Sequence, residues 1–322
     1  MVENYMFKMY LGDNIADDSA ARETIYGEKY YTKLNTDKTA WAEIAGKAVE
    51  FGFNSVLIEL ADGVKYKSHP ELAIEGAWEV EELREELQKL RDMGLTPYPK
   101  LNFSTAHDAW LGLYSRMIST KEYYALVRDL IAEVVEIFDK PEMFHVGLED
   151  EGHHAQVRYD YVCFRQHELY WHDYKFFLDC IREHGVRPWV AIDPYLVNKE
   201  KFIEYTDKDV VVSPSYNGGF FSGTTPVTPN PATEKGKRLL SFSELPELGY
   251  DVVLTSADHA PDISPRQLIR YIHQKVNTNK VKAILMAPHC NTTHSKKYSL
   301  IEILSKTCSE REKFEEEHRL NT

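Results

Sequence analysis

Residues 50–60 read EFGFNSVLIEL. A helical pattern stops at Gly52, and a short run of Val, Leu and Ile follows at once. The same joint recurs at 92–103 (DMGLTPYPKLNF), 183–193 (EHGVRPWVAID) and 247–257 (ELGYDVVLTSA). Gly52, Gly94, Gly185 and Gly249 each suit the left-handed position just past a helix end. The runs after them are apolar throughout rather than alternating, which predicts strands covered on both faces and hence a parallel sheet.

The helices between these joints are legible too. Ser119 and Glu122 read as a capping box. Tyr123, Leu126, Val127, Leu130, Ile131, Val134, Ile137 and Phe138 then keep helical spacing up to Pro141. A further helix is expected from about Tyr161 to His184, with Gly185 as its stop. Taken in order, strands begin near Met6, Ser55, Tyr98, Phe144, Pro188, Val210, Val252 and Ala283. The mean repeat is about 40 residues, which accommodates a (β/α)8 barrel with long loops. The expected fold class is therefore α/β, a single TIM barrel over residues 1–305, followed by a polar helix or tail over 306–322. A doubly wound open sheet is the alternative, but no glycine-rich phosphate turn follows the first strand.

The chain has 322 residues, of which 43% are hydrophobic and 28% charged, as in ordinary globular proteins. Acidic residues outnumber basic ones by 51 to 38, giving a formal charge of −13. There is no basic block, so nucleic acid is not an expected partner. No apolar run approaches the roughly 18 residues of a membrane span. The start, MVENYMFKMYLGDN, has no charged and apolar leader pattern. Cys163, Cys180, Cys290 and Cys308 show no C-x-x-C spacing and read as free thiols. A cytoplasmic location is the expectation.

In such barrels the reactive groups sit at the C-terminal ends of strands. Here those ends are polar. They carry Asp13 and Asn14; Glu59 and Asp62; Asn102, His107 and Asp108; then His145 with the triplet Glu149, Asp150 and Glu151. Asp193, Ser215, Tyr216, Asp258, His259, His289 and Asn291 complete the rim. Any one of these serves equally well as a loop residue or a helix cap. As a set they should face one cavity. Trp110, Tyr114, Tyr195, Tyr216, Phe220 and Phe221 lie nearby in sequence. Rings beside carboxylates suit a sugar cleft, so carbohydrate is the expected partner. The loop 217–235, which opens Asn-Gly-Gly-Phe-Phe, reads as a lid.

Glycoside cleavage needs two carboxyl groups flanking the scissile bond. The triplet can supply an acid, because crowding raises the pKa of one member. If the strand stays extended, His145, Gly147 and Glu149 share one face. Glu149 is then the first candidate for the pocket and Glu151 the second if the extended path continues that far, whereas Asp150 points elsewhere unless the backbone turns there. The partner would come from the triplet itself or from across the barrel, where Asp193 and Asp258 are the candidates. His145, Asn102, His107, Asp108, Trp110, Asp193, Tyr195, Tyr216, His259 and His289 are the expected substrate-binding residues.

The octapeptide FHVGLEDE, residues 144–151, resembles the strand-four signature His-x-Gly-x-Asp-Glu of family 20 glycoside hydrolases, the β-hexosaminidase-like enzymes. The stretch PYPKLNFSTAHDAWLGLYSRM, residues 97–117, also resembles uncharacterised relatives of that family. The resemblance implies a (β/α)8 fold with the motif closing the fourth strand. In the family the Asp orients the 2-acetamido group of the substrate, which acts as internal nucleophile, and the Glu protonates the leaving oxygen. By position, Glu149 takes the orienting role and Asp150 the acid role. Sliding by one residue gives those roles to Asp150 and Glu151. The family closes its pocket with later tryptophans and a strand-seven Tyr, whereas the last Trp here is Trp189 and strand seven ends TSADHA. The expectation is therefore a carbohydrate-active hydrolase without a cofactor or metal.

Two other readings stand beside it. One is a metal-dependent sugar isomerase, epimerase or lyase, with ligands drawn from His107, His145, His259, His289, Glu149, Asp193 and Asp258. No local ligand spacing such as H-x-H supports it. The other is a sugar-binding protein without turnover.

Overall fold

The computed structural model describes residues 2–15, 30–149, 151, 165–216, 230–256, 265–288 and 291–320. Eight parallel strands form the centre: β1 (Tyr5–Tyr10), β2 (Ser55–Glu59), β3 (Thr96–Lys100), β4 (Met143–His145), β5 (Arg187–Ala191), β6 (Val211–Ser213), β7 (Asp251–Ser256) and β8 (Val281–Met286). Each pairs with the next, and β8 pairs with β1, so the sheet closes into a barrel. Ser215–Tyr216 resumes pairing with β7 beyond Pro214.

Helices follow the strands in alternation. They are α1 (Lys38–Glu50), α2 (Val80–Asp92), α3 (Lys121–Ile137), α4 (His167–Arg182), the short α5 (Asp193–Val197) and α6 (Lys199–Tyr205), α7 (Glu234–Glu247), α8 (Pro265–Lys275) and α9 (Lys297–Leu320). The four joint glycines all have positive φ, between 66° and 93°. This is the left-handed turn that lets each chain leave its helix and enter the next strand. No described helix is long and apolar enough to cross a membrane.

Several local expectations shift. The cap of α3 is Thr120, whose side chain accepts from the Tyr123 N–H, and not Ser119. Ser119 is itself left-handed and donates its hydroxyl to Asp173 Oδ2 at 2.6 Å. Helix α4 begins at His167, because Arg165 and Gln166 are non-helical and Arg165 is drawn into the interior. The lid expectation falls largely outside the described residues, and its last residues open α7, capped by Thr233. Helix α9 runs unbroken across residue 305. Thr307 and Cys308 are buried, and Arg311 donates to the carbonyls of Phe51 and Gly52, so the C-terminal segment docks on the end of α1.

Two apolar regions hold the molecule. The larger lies between barrel and helices. The smaller gathers one or two residues from every strand: Met6, Leu57, Tyr98, Met143, Trp189, Val211, Val253, Ala283 and Leu285. These fill the barrel's interior. Two residues further along, the same inward parity reaches Lys8, Glu59, Lys100 and His145 on β1 to β4 and Ser213 on β6. The barrel is therefore apolar at its base and charged near its mouth.

Candidate active site at the C-terminal rim

Tyr10, Glu59, Lys100 and His145 stand in register across β1 to β4. Lys8, one inward step below Tyr10, lies 2.9 Å from Glu59 Oε2 and donates to the Tyr10 hydroxyl at 3.0 Å. Lys100 lies 3.1 Å from the same Glu59 oxygen and 2.6 Å from Glu149 Oε1. Lys8, Glu59 and Lys100 are buried, whereas the Glu149 side chain is 31% exposed. A belt of alternating charge thus crosses four strands and ends on the one member open to solvent.

The belt decides the state of Glu149. Burial alone would raise its carboxyl. Lys100 and Lys8, the leading opposing charges, outweigh burial and hold it well below the usual carboxylate range. Crowding within the triplet therefore does not govern Glu149: the charged group in contact with it is the Lys100 ammonium. Asn102 Nδ2 approaches Glu149 Oε2 at 3.4 Å, and His107 Nδ1 lies 4.0 Å from that oxygen. Burial, then Lys100, depress the His145 imidazole well below 6.5, so it is neutral at physiological pH. The Gly147 N–H donates to His145 Nδ1 at 2.9 Å, which assigns the ring proton to Nε2.

The path from His145 to Glu149 is not extended. Gly147 and Leu148 both have positive φ, 75° and 64°. A Cβ on Gly147 would stand 1.8 Å from Asn102 Oδ1, so only glycine fits. Glu149 therefore reaches the pocket through a left-handed turn, and strand alternation was the wrong reason for placing it beside His145. The Glu149 N–H donates to Ser104 Oγ at 2.7 Å, and Ser104 Oγ donates to Asn102 Oδ1 at 2.5 Å.

Glu151 turns the other way. Its Oε1 accepts from Arg165 Nη1 at 2.6 Å and from the Thr105 N–H at 2.9 Å, both buried. Glu151 Oε1 is thus held by Arg165 and the Thr105 backbone. Asp108 is buried beside this pair. Burial first, and Glu151 with it, push its carboxyl well above the ordinary range against the pull of Arg165.

The aromatic expectations change in kind. Trp110 is buried, packs on Phe103 and donates its indole N–H to the Asn102 carbonyl at 2.9 Å, supporting the loop from beneath. Tyr195 is in the core with its hydroxyl on Glu244. Tyr216 is buried at the end of its strand, and Asp193 accepts from Arg238 Nη2 at 2.8 Å. The structure thus brings Asn102, His107 and His145 to Glu149, and places Asp193, Tyr195 and Tyr216 on the β5–β6 side. Asp150, Asp258, His259 and His289 lie outside the described residues. Among the described residues no group of three or more His, Cys, Asp or Glu could hold a metal ion.

Sequence reasoning passed over Lys8, Lys100, Ser104 and Arg165. The signal for the lysines was present: each follows a core residue at inward parity inside an otherwise apolar strand. A second feature stands at the ends of β1 and β2. A Cβ on Gly12 would lie 2.5 Å from the Leu60 carbonyl oxygen, so the two backbones touch and bring Asp13 beside Asp62. Burial, and for Asp13 its neighbour Asp62, push both carboxyls up to about 7, opposed by Asn35 at Asp13 and Asn14 at Asp62.

No protein-family model matches the sequence, and no curated protein matches it. Solved structures do match in fold. The GH20 exo-β-N-acetylglucosaminidase of Vibrio harveyi, in complex with N-acetylglucosamine, is 14% identical with a TM-score of 0.59, over 95% of this chain and 54% of that one. The β-N-acetylhexosaminidase of Bacteroides fragilis NCTC 9343 is 13% identical with a TM-score of 0.62, over 95% and 65%. A GH20 module of the pneumococcal exo-β-D-N-acetylglucosaminidase StrH is 15% identical with a TM-score of 0.59, over 96% and 83%. The chain spans little more than half the length of the Vibrio enzyme and just under two thirds of the Bacteroides one. At these identities the shared property is the fold: the chain is a (β/α)8 barrel of the kind on which family 20 β-hexosaminidases are built.

Proposed function

We propose that the protein hydrolyses a glycosidic bond, with Glu149 as the ionised carboxylate that meets the sugar. The observation that carries this reading is the 2.6 Å contact between Lys100 and a partly exposed Glu149 at the barrel mouth. An anion fixed there in advance stabilises positive charge as it develops on a sugar ring or an acetamido group in the transition state. Glu149 also occupies the position of the orienting Asp in the family 20 motif, a role that calls for an ionised group. Asp150 occupies the motif's acid position and is the proposed proton donor. The one-residue slide loses support, since Glu151 is paired with Arg165. The neutral His145, together with the side chains of Asn102 and His107, supplies hydrogen-bonding groups around Glu149 suited to a neutral sugar.

The test is turnover of a panel of aryl β-glycosides that includes the N-acetylglucosaminide and N-acetylgalactosaminide. Glu149→Gln should lose ~10²-fold or more in kcat on every leaving group, the usual worth of a positioned catalytic carboxylate. Asp150→Asn should lose most on poor leaving groups, because only those need a proton. No turnover by the wild-type protein, or a folded Glu149→Gln variant with near-wild-type kcat, would overturn the assignment.

A further inference from the structure

Arg165 lies outside the pocket, and its buried guanidinium is fully used. Nη1 donates to Glu151 Oε1 at 2.6 Å and to the Phe103 carbonyl at 3.3 Å. Nη2 donates to the same carbonyl at 3.2 Å and to the Tyr123 hydroxyl at 2.9 Å. Nε donates to Asp173 Oδ2 at 3.0 Å, and Asp173 also accepts from Ser119 and Tyr124, both at 2.6 Å. One side chain therefore joins the segments after β3 and β4 to helices α3 and α4. A buried ion pair is weak evidence for stability, because desolvation offsets much of the attraction. Its location is the informative property.

Glu151 is two residues from Glu149, and the segment between His145 and Glu149 is strained. Leu148 is a left-handed non-glycine residue, a conformation that costs about 1–3 kcal/mol and persists only where its surroundings enforce it. Backbone bonds from Phe103 N–H to the Val146 carbonyl and from Ala191 N–H to the Gly147 carbonyl hold the start of the segment, and its far end is held to the β3 segment by Glu149 N–H to Ser104 Oγ and Thr105 N–H to Glu151 Oε1. Arg165 braces the last of these contacts, bonding Glu151 directly and, on the other side, the carbonyl of Phe103 two residues before Thr105.

We infer that Arg165, acting through Glu151, is a positioning residue that clamps the β4 segment to the β3 segment and so fixes Glu149 against Lys100. The inference rests on the reading of Glu149 as the sugar-facing carboxylate. It assigns Glu151, the third acid of the triplet, a role without chemistry.

The experiment uses the full chain with Arg165→Lys, which keeps the charge and loses the fork, and Glu151→Gln, which keeps the acceptor and loses the charge. Amide exchange read by NMR should show protection at Thr105 and Glu149 falling about tenfold relative to Val56 and Val190 in the barrel. With an aryl glycoside, kcat should fall about 10²-fold, as misplacing a reacting group by an ångström can do, while KM stays within about twofold. A purely structural Arg165 would lower protection everywhere in parallel and leave the kcat of the folded fraction unchanged, and that result overturns the clamp. If Arg165→Lys does not fold, Glu151→Gln is read by the same criteria. Absence of wild-type turnover refutes the glycosidase reading alone, and exchange at Thr105 and Glu149 then decides the clamp by itself.

Discussion

Replacing Lys100 with Met tests the charge belt most directly. The substitution keeps the unbranched stem and removes the one cation shared by Glu59 Oε2 at 3.1 Å and Glu149 Oε1 at 2.6 Å. Breaking a buried ion pair by removing one partner costs about 3–5 kcal/mol. Two features reduce this: Glu59 keeps Lys8 at 2.9 Å, and Glu149 is 31% exposed. The expected loss is therefore near the lower end, ~3 kcal/mol at pH 7. The pH dependence carries the sign. Glu149 is depressed in the folded protein, so its contribution is present above its unfolded value and lost as pH falls through the folded value. Without Lys100, burial faces less opposition and the Glu149 carboxyl moves up. The stability difference between wild type and variant should therefore be largest at neutral pH and shrink as pH falls into and below the range of free carboxylates. Urea denaturation followed by tryptophan fluorescence at several pH values measures it. A difference below ~1 kcal/mol at pH 7, the size of an exposed pair, would refute the belt as the source of Glu149's ionisation. So would a difference that does not change with pH.

Gly147→Ala combines a positive φ with a Cβ 1.8 Å from Asn102 Oδ1, and should destabilise the fold by more than ~2 kcal/mol; a melting temperature equal to wild type would show that the turn is not fixed as described. The Asp13 and Asp62 carboxyls are raised from an ordinary 3.8 to about 7, so their contribution to stability is full below the unfolded value and lost as pH rises through the folded one. Wild-type melting temperature should consequently fall between about pH 4 and 7, and Asp62→Asn should flatten that fall and melt higher than wild type above this range; parallel curves would remove the pair. Since the two sites interact, the titration belongs to the pair rather than to either residue.

The barrel was legible because its signals are local. Gly52, Gly94, Gly185 and Gly249 mark helix ends by backbone conformation alone, and the apolar runs after them declare strands covered on both faces. The misplaced cap at Ser119 shows where that legibility thins. One residue either way satisfies the pattern, and a contact with Asp173, 54 residues on, decides which hydroxyl faces the helix. Trp110 and Tyr195 look like sugar platforms by composition, and only packing reveals that their faces are already covered.

At the rim the sequence by itself determined that acids and histidines would collect at strand ends, since period-two alternation and strand order are properties of short segments. It did not determine which acid is charged. That depends on Lys100, 49 residues before Glu149, and on Lys8, held through Glu59 from a third strand. Strand pairing brings each group within 3.1 Å of the next along the belt. Electrostatic energy in a buried site depends on distance and burial rather than on order along the chain. The ionisation of Glu149, and the diversion of Glu151 to Arg165, are therefore decisions of the tertiary structure.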